Sequence, residues 1–177
     1  MEISAAPVGQ DTQVLAAPAS VVSAITHIPT ATSDQVGIGD INYPPKTVPH
    51  GTPLIYNKKP EVLYIGAEYC PYCALARWSL IGALSKFGTF HNLKIIRASA
   101  TDSAGQNIAT FTFAHGVTYS SSLISFVPRE MFSNVPDVKS PTGYAPLQTL
   151  TKAEQTVFAK LDPPEGFPFV DFGGIVA

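Results

Sequence analysis

Two cysteines stand in the whole chain, Cys70 and Cys73, in the run Ala67-Glu68-Tyr69-Cys70-Pro71-Tyr72-Cys73. A disulfide staple works by closing a loop, and a loop this short gains little. Small disulfide scaffolds carry several well-separated cysteines instead. The spacing suits dithiol chemistry. A free thiol titrates at roughly 8.5, falling to ~3.5–7.5 at helix N-termini and in Cys-X-X-Cys motifs, and only the thiolate attacks. Cys70 at a helix start would be the stabilised thiolate. Cys73, one turn on, would be near enough to resolve a mixed disulfide formed at Cys70. A downward shift of about 2.5 units favours the thiolate by ~3.4 kcal/mol. Because it stabilises the reduced form, it also makes the pair more oxidising.

Such a pair needs a strand to deliver it and a helix to open on it. Residues 61–67 form an unbroken β-prone run, expected to be a strand buried on both faces. A helix should start at Cys70, with Pro71 at the first helical position, and run to about Lys86 with Gly88 as its stop. Ala74, Trp78, Ile81 and Leu84 mark its inward stripe. Residues 92–100 read as a second strand, so 61–100 would be a β-α-β unit with parallel pairing.

The remaining elements are shorter. Residues 101–148 alternate like β structure around Thr110–Phe113 and Tyr119–Val127, and read as a β-rich insertion. Residues 151–161 should be a helix opened by a Thr151/Glu154 capping box. Phe167-Pro168 begins another strand, Gly173-Gly174 a turn, and Ile175 a returning strand. The N-terminal 60 residues read as an extension. Residues 1–17 are expected to be poorly ordered, 19–28 a short helix stopped by Pro29, and 30–60 a loop with a short strand. Residues 61–177 form the domain proper.

The chain of 177 residues is 45% hydrophobic and only 14% charged, with a formal net charge of −2 and no basic run. That argues against disorder throughout and against a nucleic-acid partner. No apolar run reaches the ~20 residues of a membrane span. The first ten residues lack the basic and apolar regions of a signal peptide. Many prolines and hydroxyl residues with few charges suit work outside the cytoplasm, with any signal or anchor lying outside this sequence.

At these residues the chain resembles the thioredoxin superfamily. Tyr69 stands where thioredoxins carry Trp, and Pro71-Tyr72 are the intervening residues typical of glutaredoxins. Phe167-Pro168 resembles the family's cis-proline step, which implies that this pair faces the cysteines and lines the substrate site. More of the chain, including Arg77-Trp78 and Lys86-Phe-Gly-Thr-Phe, resembles an uncharacterised, often membrane-anchored family of thioredoxin-like proteins, domain of unknown function nine-twenty-nine. The resemblance implies an α/β thioredoxin-like fold with the insertion placed between the second strand and the helix before the proline-led strand. It implies an extracytoplasmic, membrane-anchored setting. Two departures follow. The buried acid of thioredoxins is Tyr64 here, so Cys73 would need another proton partner. Glu68 is a candidate for that role, although an exposed charge is the plainer reading. The fold's last strand and helix are missing, as in a truncated or paired chain.

The expected activity is thiol–disulfide exchange on protein thiols and disulfides, without a cofactor beyond a Cys70–Cys73 disulfide, and with a redox-recycling partner for which a membrane protein is a candidate. Oligomeric state and direction stay open. Two rival readings stand beside it. The cysteines could join two of His27, His50, His91 and His115 around zinc or copper, although none of these has ligand spacing to them. Alternatively, residues 101–148 could be a docking surface, with Phe111, Phe113, Tyr119 and Phe126 more simply read as core. Arg77 is read as structural, an ion-pair partner or part of a groove.

Overall fold

The computed structural model describes residues 9–37, 45–48 and 53–176. Ahead of the cysteines come β1 (Leu15–Ala16), α1 (Ala19–Thr26), α2 (Thr30–Val36), β2 (Lys46–Thr47) and β3 (Ile55–Tyr56). Strand β4 (Lys59–Gly66) leads into α3 (Pro71–Leu84). There follow β5 (Thr89–His91), β6 (Lys94–Arg97), β7 (Ala109–Thr112), β8 (Thr118–Ser120), β9 (Ser125–Glu130), β10 (Phe132–Pro136) and β11 (Tyr144–Pro146). The chain finishes through α4 (Lys152–Leu161), β12 (Phe169–Phe172) and β13 (Ile175–Val176). The architecture is mixed α/β, with four helices among the described residues.

Strand β4 is the axis of the largest sheet. It pairs parallel with β9 and antiparallel with β12, while β3 covers its start. Its apolar run supplies both faces by simple alternation. Val62 and Tyr64 join Leu80, Ile81, Leu84, Phe111 and Phe113 on the α3 side. Leu63 and Ile65 join Val127, Phe158 and Phe169 on the α4 side. Each such fully buried side chain contributes about 1.5–3 kcal/mol relative to exposure. A strand held this way fixes the position of the turn that follows it, and Cys70 lies in that turn.

The parallel partner is not the expected one. Residues 92–100 contribute β6, which lies antiparallel between β1 and β7 in a separate sheet of three strands. The partner of β4 is β9, within the stretch read as an insertion. The crossover from β4 to β9 therefore contains α3 and four further short strands, with β5 and β8 paired antiparallel. Pro128, Arg129 and Glu130 disguise β9 as a poor strand. Pro128 is tolerated because β9 pairs on one side only, where a missing N–H costs the ladder least.

The N-terminal stretch is more structured than expected. Residues 1–8 lie outside the described residues, but Leu15 and Ala16 pair with Ile95 and Lys94. Within 30–60 the structure holds α2 and two short strands, β2 and β3, where a loop with one short strand was expected. Pro29 caps the start of α2 as well as following α1. The returning strand β13 pairs with β12, and β2 pairs with its other edge. The capping box of α4 forms as read, with Thr151 Oγ1 accepting from Glu154 N and Glu154 Oε2 accepting from Thr151 N.

Candidate functional site

Cys70 is the N-cap of α3, and Pro71 occupies the first turn where an amide donor is not needed. The Cys73 amide donates to Cys70 Sγ across 3.3 Å. Both cysteines are free thiols. Cys70 is 6% exposed and Cys73 is fully enclosed. The two thiols are thereby differentiated. Hydrogen bonding from Cys73, helped by the amides of Cys73 and Tyr72, draws Cys70 down to about 7 against the opposing effect of burial. Burial first, then the hydrogen bond to Cys70, pushes the Cys73 thiol strongly upward. The Cys70 thiol, nearly buried itself, is thus set to ionise near neutrality, while Cys73 is held as a buried thiol.

Opposite Cys70 stands the Phe167 carbonyl, 3.8 Å from its sulfur, and the Phe167–Pro168 peptide is cis. Both residues of that pair are half-buried. An aromatic rim surrounds the sulfur. Tyr69 stacks on Tyr144 and meets Phe132 edge-on, and Phe132 in turn meets Phe167. Tyr72, in the first turn of α3, is 61% exposed.

Below the cysteines the polar groups form a buried set. Gly66 is required there, since a Cβ would sit 2.2 Å from the Tyr64 hydroxyl and 3.0 Å from Cys73 Sγ. Tyr64 occupies the space above Gly66 and its hydroxyl has no hydrogen-bond partner among the described residues. Burial raises its phenol well above the usual range. Arg77 and Glu130 are fully buried and doubly bonded to each other, at 2.8 and 2.7 Å. Glu68 is also enclosed, which overturns its reading as an exposed charge. It accepts from Thr112 Oγ1 at 2.5 Å, and His115 Nε2 lies 3.0 Å away on the surface side. Burial raises the Glu68 carboxyl.

The turn places Glu68 here because its amide is tied to the Phe132 carbonyl at 2.9 Å, so its side chain points inward toward β7. Arg77 thus forms an ion pair, one of the two structural readings open for it, with Glu130 as the acid. The legible signal was the spacing of Arg77 four residues from Cys73 on an otherwise apolar helix; Glu130 gave none. Trp78, read as core, is half-buried, stacks edge-on against Phe111 and donates to the Ala109 carbonyl at 3.1 Å.

The family described as Domain of unknown function (DUF929) matches residues 48–160. The chain belongs to this family. The DUF929 match spans the cysteines, the buried pair and the Glu68 cluster, and ends before Pro168. No curated protein matches the chain, and no solved structure does. Of the histidines set against the cysteines as metal ligands, His50 lies outside the described residues, and His115 faces Glu68. Among the described residues no group of three or more His, Cys, Asp or Glu side chains is placed to hold a metal ion.

Proposed function

We propose that this protein is a thiol–disulfide oxidoreductase with a thioredoxin-like core, working by disulfide exchange through Cys70 and Cys73. The observation that carries the reading is the unequal environment of the two sulfurs: Cys70 at the helix terminus beside the Phe167 carbonyl, Cys73 sealed beneath it. The thioredoxin-like reading of the core rests on β4 leading into the cysteine helix, a parallel neighbour β9, and β12 entering antiparallel from the Phe167–Pro168 step.

In the reducing direction, the Cys70 thiolate attacks a substrate disulfide and releases one substrate sulfur as a thiolate. Cys73 then attacks Cys70 Sγ, closing the Cys70–Cys73 bond and releasing the second. The protein loses two electrons and the substrate gains two, and the same steps reversed oxidise a dithiol. Substrate protein segments would lie along the Phe167–Pro168 edge and the aromatic rim of Tyr69, Tyr72 and Phe132. An extracytoplasmic, membrane-anchored setting with a membrane-bound recycling partner is part of the proposal. It draws on the low charge and the resemblance described above. Among the described residues no helix is long and apolar enough to cross a membrane.

The test is a redox assay with a model disulfide protein and the variants Cys70→Ser and Cys73→Ser. Wild type should exchange disulfides, Cys73→Ser should accumulate a mixed disulfide, and Cys70→Ser should do neither. A folded wild-type protein that neither reduces nor oxidises the model substrate would sink the proposal. The reduction potential, which spans about −270 to −120 mV among such pairs, then assigns direction.

A further inference from the structure

Exchange through two cysteines does not of itself call for a buried cation, yet one lies beneath this pair. Arg77 follows Cys73 by four residues on α3, so both occupy one face of the helix, and neither reaches solvent. Burying a guanidinium costs several kcal/mol in lost hydration, and apolar packing could fill the same volume. The group is also rigidly aimed. Its Nε and Nη2 donate to the Glu130 carboxylate, and Nη2 donates to the Ala67 carbonyl at 2.7 Å. That same carbonyl accepts the Cys70 amide at 3.2 Å. The guanidinium is therefore locked to the turn from which the cysteines hang. Its Nη1 has no partner among the described residues.

We propose that Arg77 is the positioning residue that makes Cys73 a usable nucleophile, its fixed positive charge offsetting the negative charge that the enclosed sulfur must carry as it attacks. The inference rests on the oxidoreductase reading and names what replaces the buried acid of thioredoxins at Tyr64. In the step concerned, the Cys73 sulfur loses its proton and bonds to Cys70 Sγ, the proton being matched by the one that the leaving sulfur takes up. The bond from Cys70 to the substrate sulfur breaks, and that sulfur leaves with the electron pair and takes a proton from water.

The surroundings leave this role to Arg77. Tyr64 from β4 and Tyr69 from the turn lie beside the thiols, while Glu130 from β9 and Glu68 from the turn lie around Arg77, with Asp102 near Tyr69 and His115 beside Glu68. Arg77 is the one permanently positive side chain in this set. Attraction to it lowers the proton affinity of both thiols, although burial dominates at Cys73 and hydrogen bonding at Cys70.

The test loads Cys70 of the full chain with a thionitrobenzoate mixed disulfide and follows release of the coloured thiolate as Cys73 attacks, across pH. It reads Cys73 directly and needs no protein substrate, so it stands apart from the activity assay. The double variant Arg77→Met/Glu130→Gln removes the charge without stranding a buried carboxylate. It should slow release at neutral pH about tenfold, the pH profile moving up by about one unit. Glu130→Gln alone leaves the cation uncompensated and should move the profile downward. Opposite movements support the proposal, since a merely structural pair would not produce them. Movement in one direction only, or none, in folded protein overturns it. If the double variant does not fold, Glu130→Gln decides alone: a downward shift supports the role, and an unmoved or raised profile overturns it.

Discussion

Tyr69 lies flat on Tyr144, their ring centroids 4.3 Å apart and their planes within 7° of parallel. The residue before the first cysteine is thus held by the β10–β11 hairpin. The Tyr144 hydroxyl donates to Ser99 Oγ at 2.5 Å, and the Ser99 amide donates to the Tyr69 carbonyl at 2.8 Å. The three residues close a ring around the rim of the site. Tyr144→Phe should keep the stack and lose about 1 kcal/mol of stability with the hydrogen bond. Tyr144→Ala should also free Tyr69. It should raise KM for a disulfide-bonded protein several-fold while sparing turnover of a small aromatic disulfide. Equal effects on both substrates would count against a rim that reads the substrate chain.

Gly66 marks the tightest packing in the site. A methyl group there meets the Tyr64 ring carbon Cζ at 2.6 Å as well as its hydroxyl at 2.2 Å. Tyr64 is enclosed and cannot swing away, so Gly66→Ala should destabilise by about 1–3 kcal/mol, read as a drop in the urea midpoint. Tyr64→Phe removes a buried hydroxyl that has no partner among the described residues. That change should be neutral or stabilising by up to about 1 kcal/mol, and Gly66→Ala/Tyr64→Phe should recover part of the first loss. A strongly destabilised Tyr64→Phe protein would show that the hydroxyl holds the core together.

The parts legible in the sequence were those with a local physical cause. The strand before Cys70 is a continuous apolar run, α3 begins at a proline suited to its first turn, and α4 begins at a reciprocal cap; all three form as read. The parallel partner was missed because pairing across a long crossover leaves no local trace. Residues 92–100 are more plainly β-prone than β9, where Pro128 counts against a strand until its pairing on one side only is known. Glu68 and Glu130 were misjudged or missed for a related reason. A carboxylate in a sequence reads as surface, and only the fold brings Thr112, His115 and Arg77 to meet it.

Glu68 gives a pH-dependent signature of that burial. Its carboxyl is raised, chiefly by desolvation, so the folded state binds the proton more tightly than the unfolded chain does. Its contribution is then fully present below the ordinary glutamate range near 4.3 and is lost as pH rises through the folded value. Glu68→Gln, which keeps an oxygen acceptor for Thr112, removes that dependence. Wild type should lose stability relative to Glu68→Gln as pH climbs from about 4 toward neutrality. The comparison is a set of urea melts of the oxidised proteins at several pH values. Parallel curves would show that Glu68 ionises as freely as in the unfolded chain.

The two thiols should act on stability in opposite senses, and only in the reduced protein. Hydrogen bonding from Cys73 holds Cys70 at about 7, below the roughly 8.5 of an unfolded cysteine. A depressed value contributes stability that is full above the unfolded pKa and lost as pH falls through the folded one. From Cys70, reduced protein should therefore gain stability between about pH 7 and 8.5. Cys73 is raised by burial, so it favours the folded state only while the unfolded thiol stays protonated. Above about 8.5 the unfolded chain gains by ionising there and the folded chain does not. Reduced wild type should thus rise to a maximum and then fall. Cys70→Ser should lose the rising limb and Cys73→Ser the falling one, with both differences read by urea unfolding under reductant. The oxidised protein, with no thiol to titrate, should follow neither limb. A falling limb that persisted in Cys73→Ser would assign the alkaline loss to another group, with Tyr64 the first to replace.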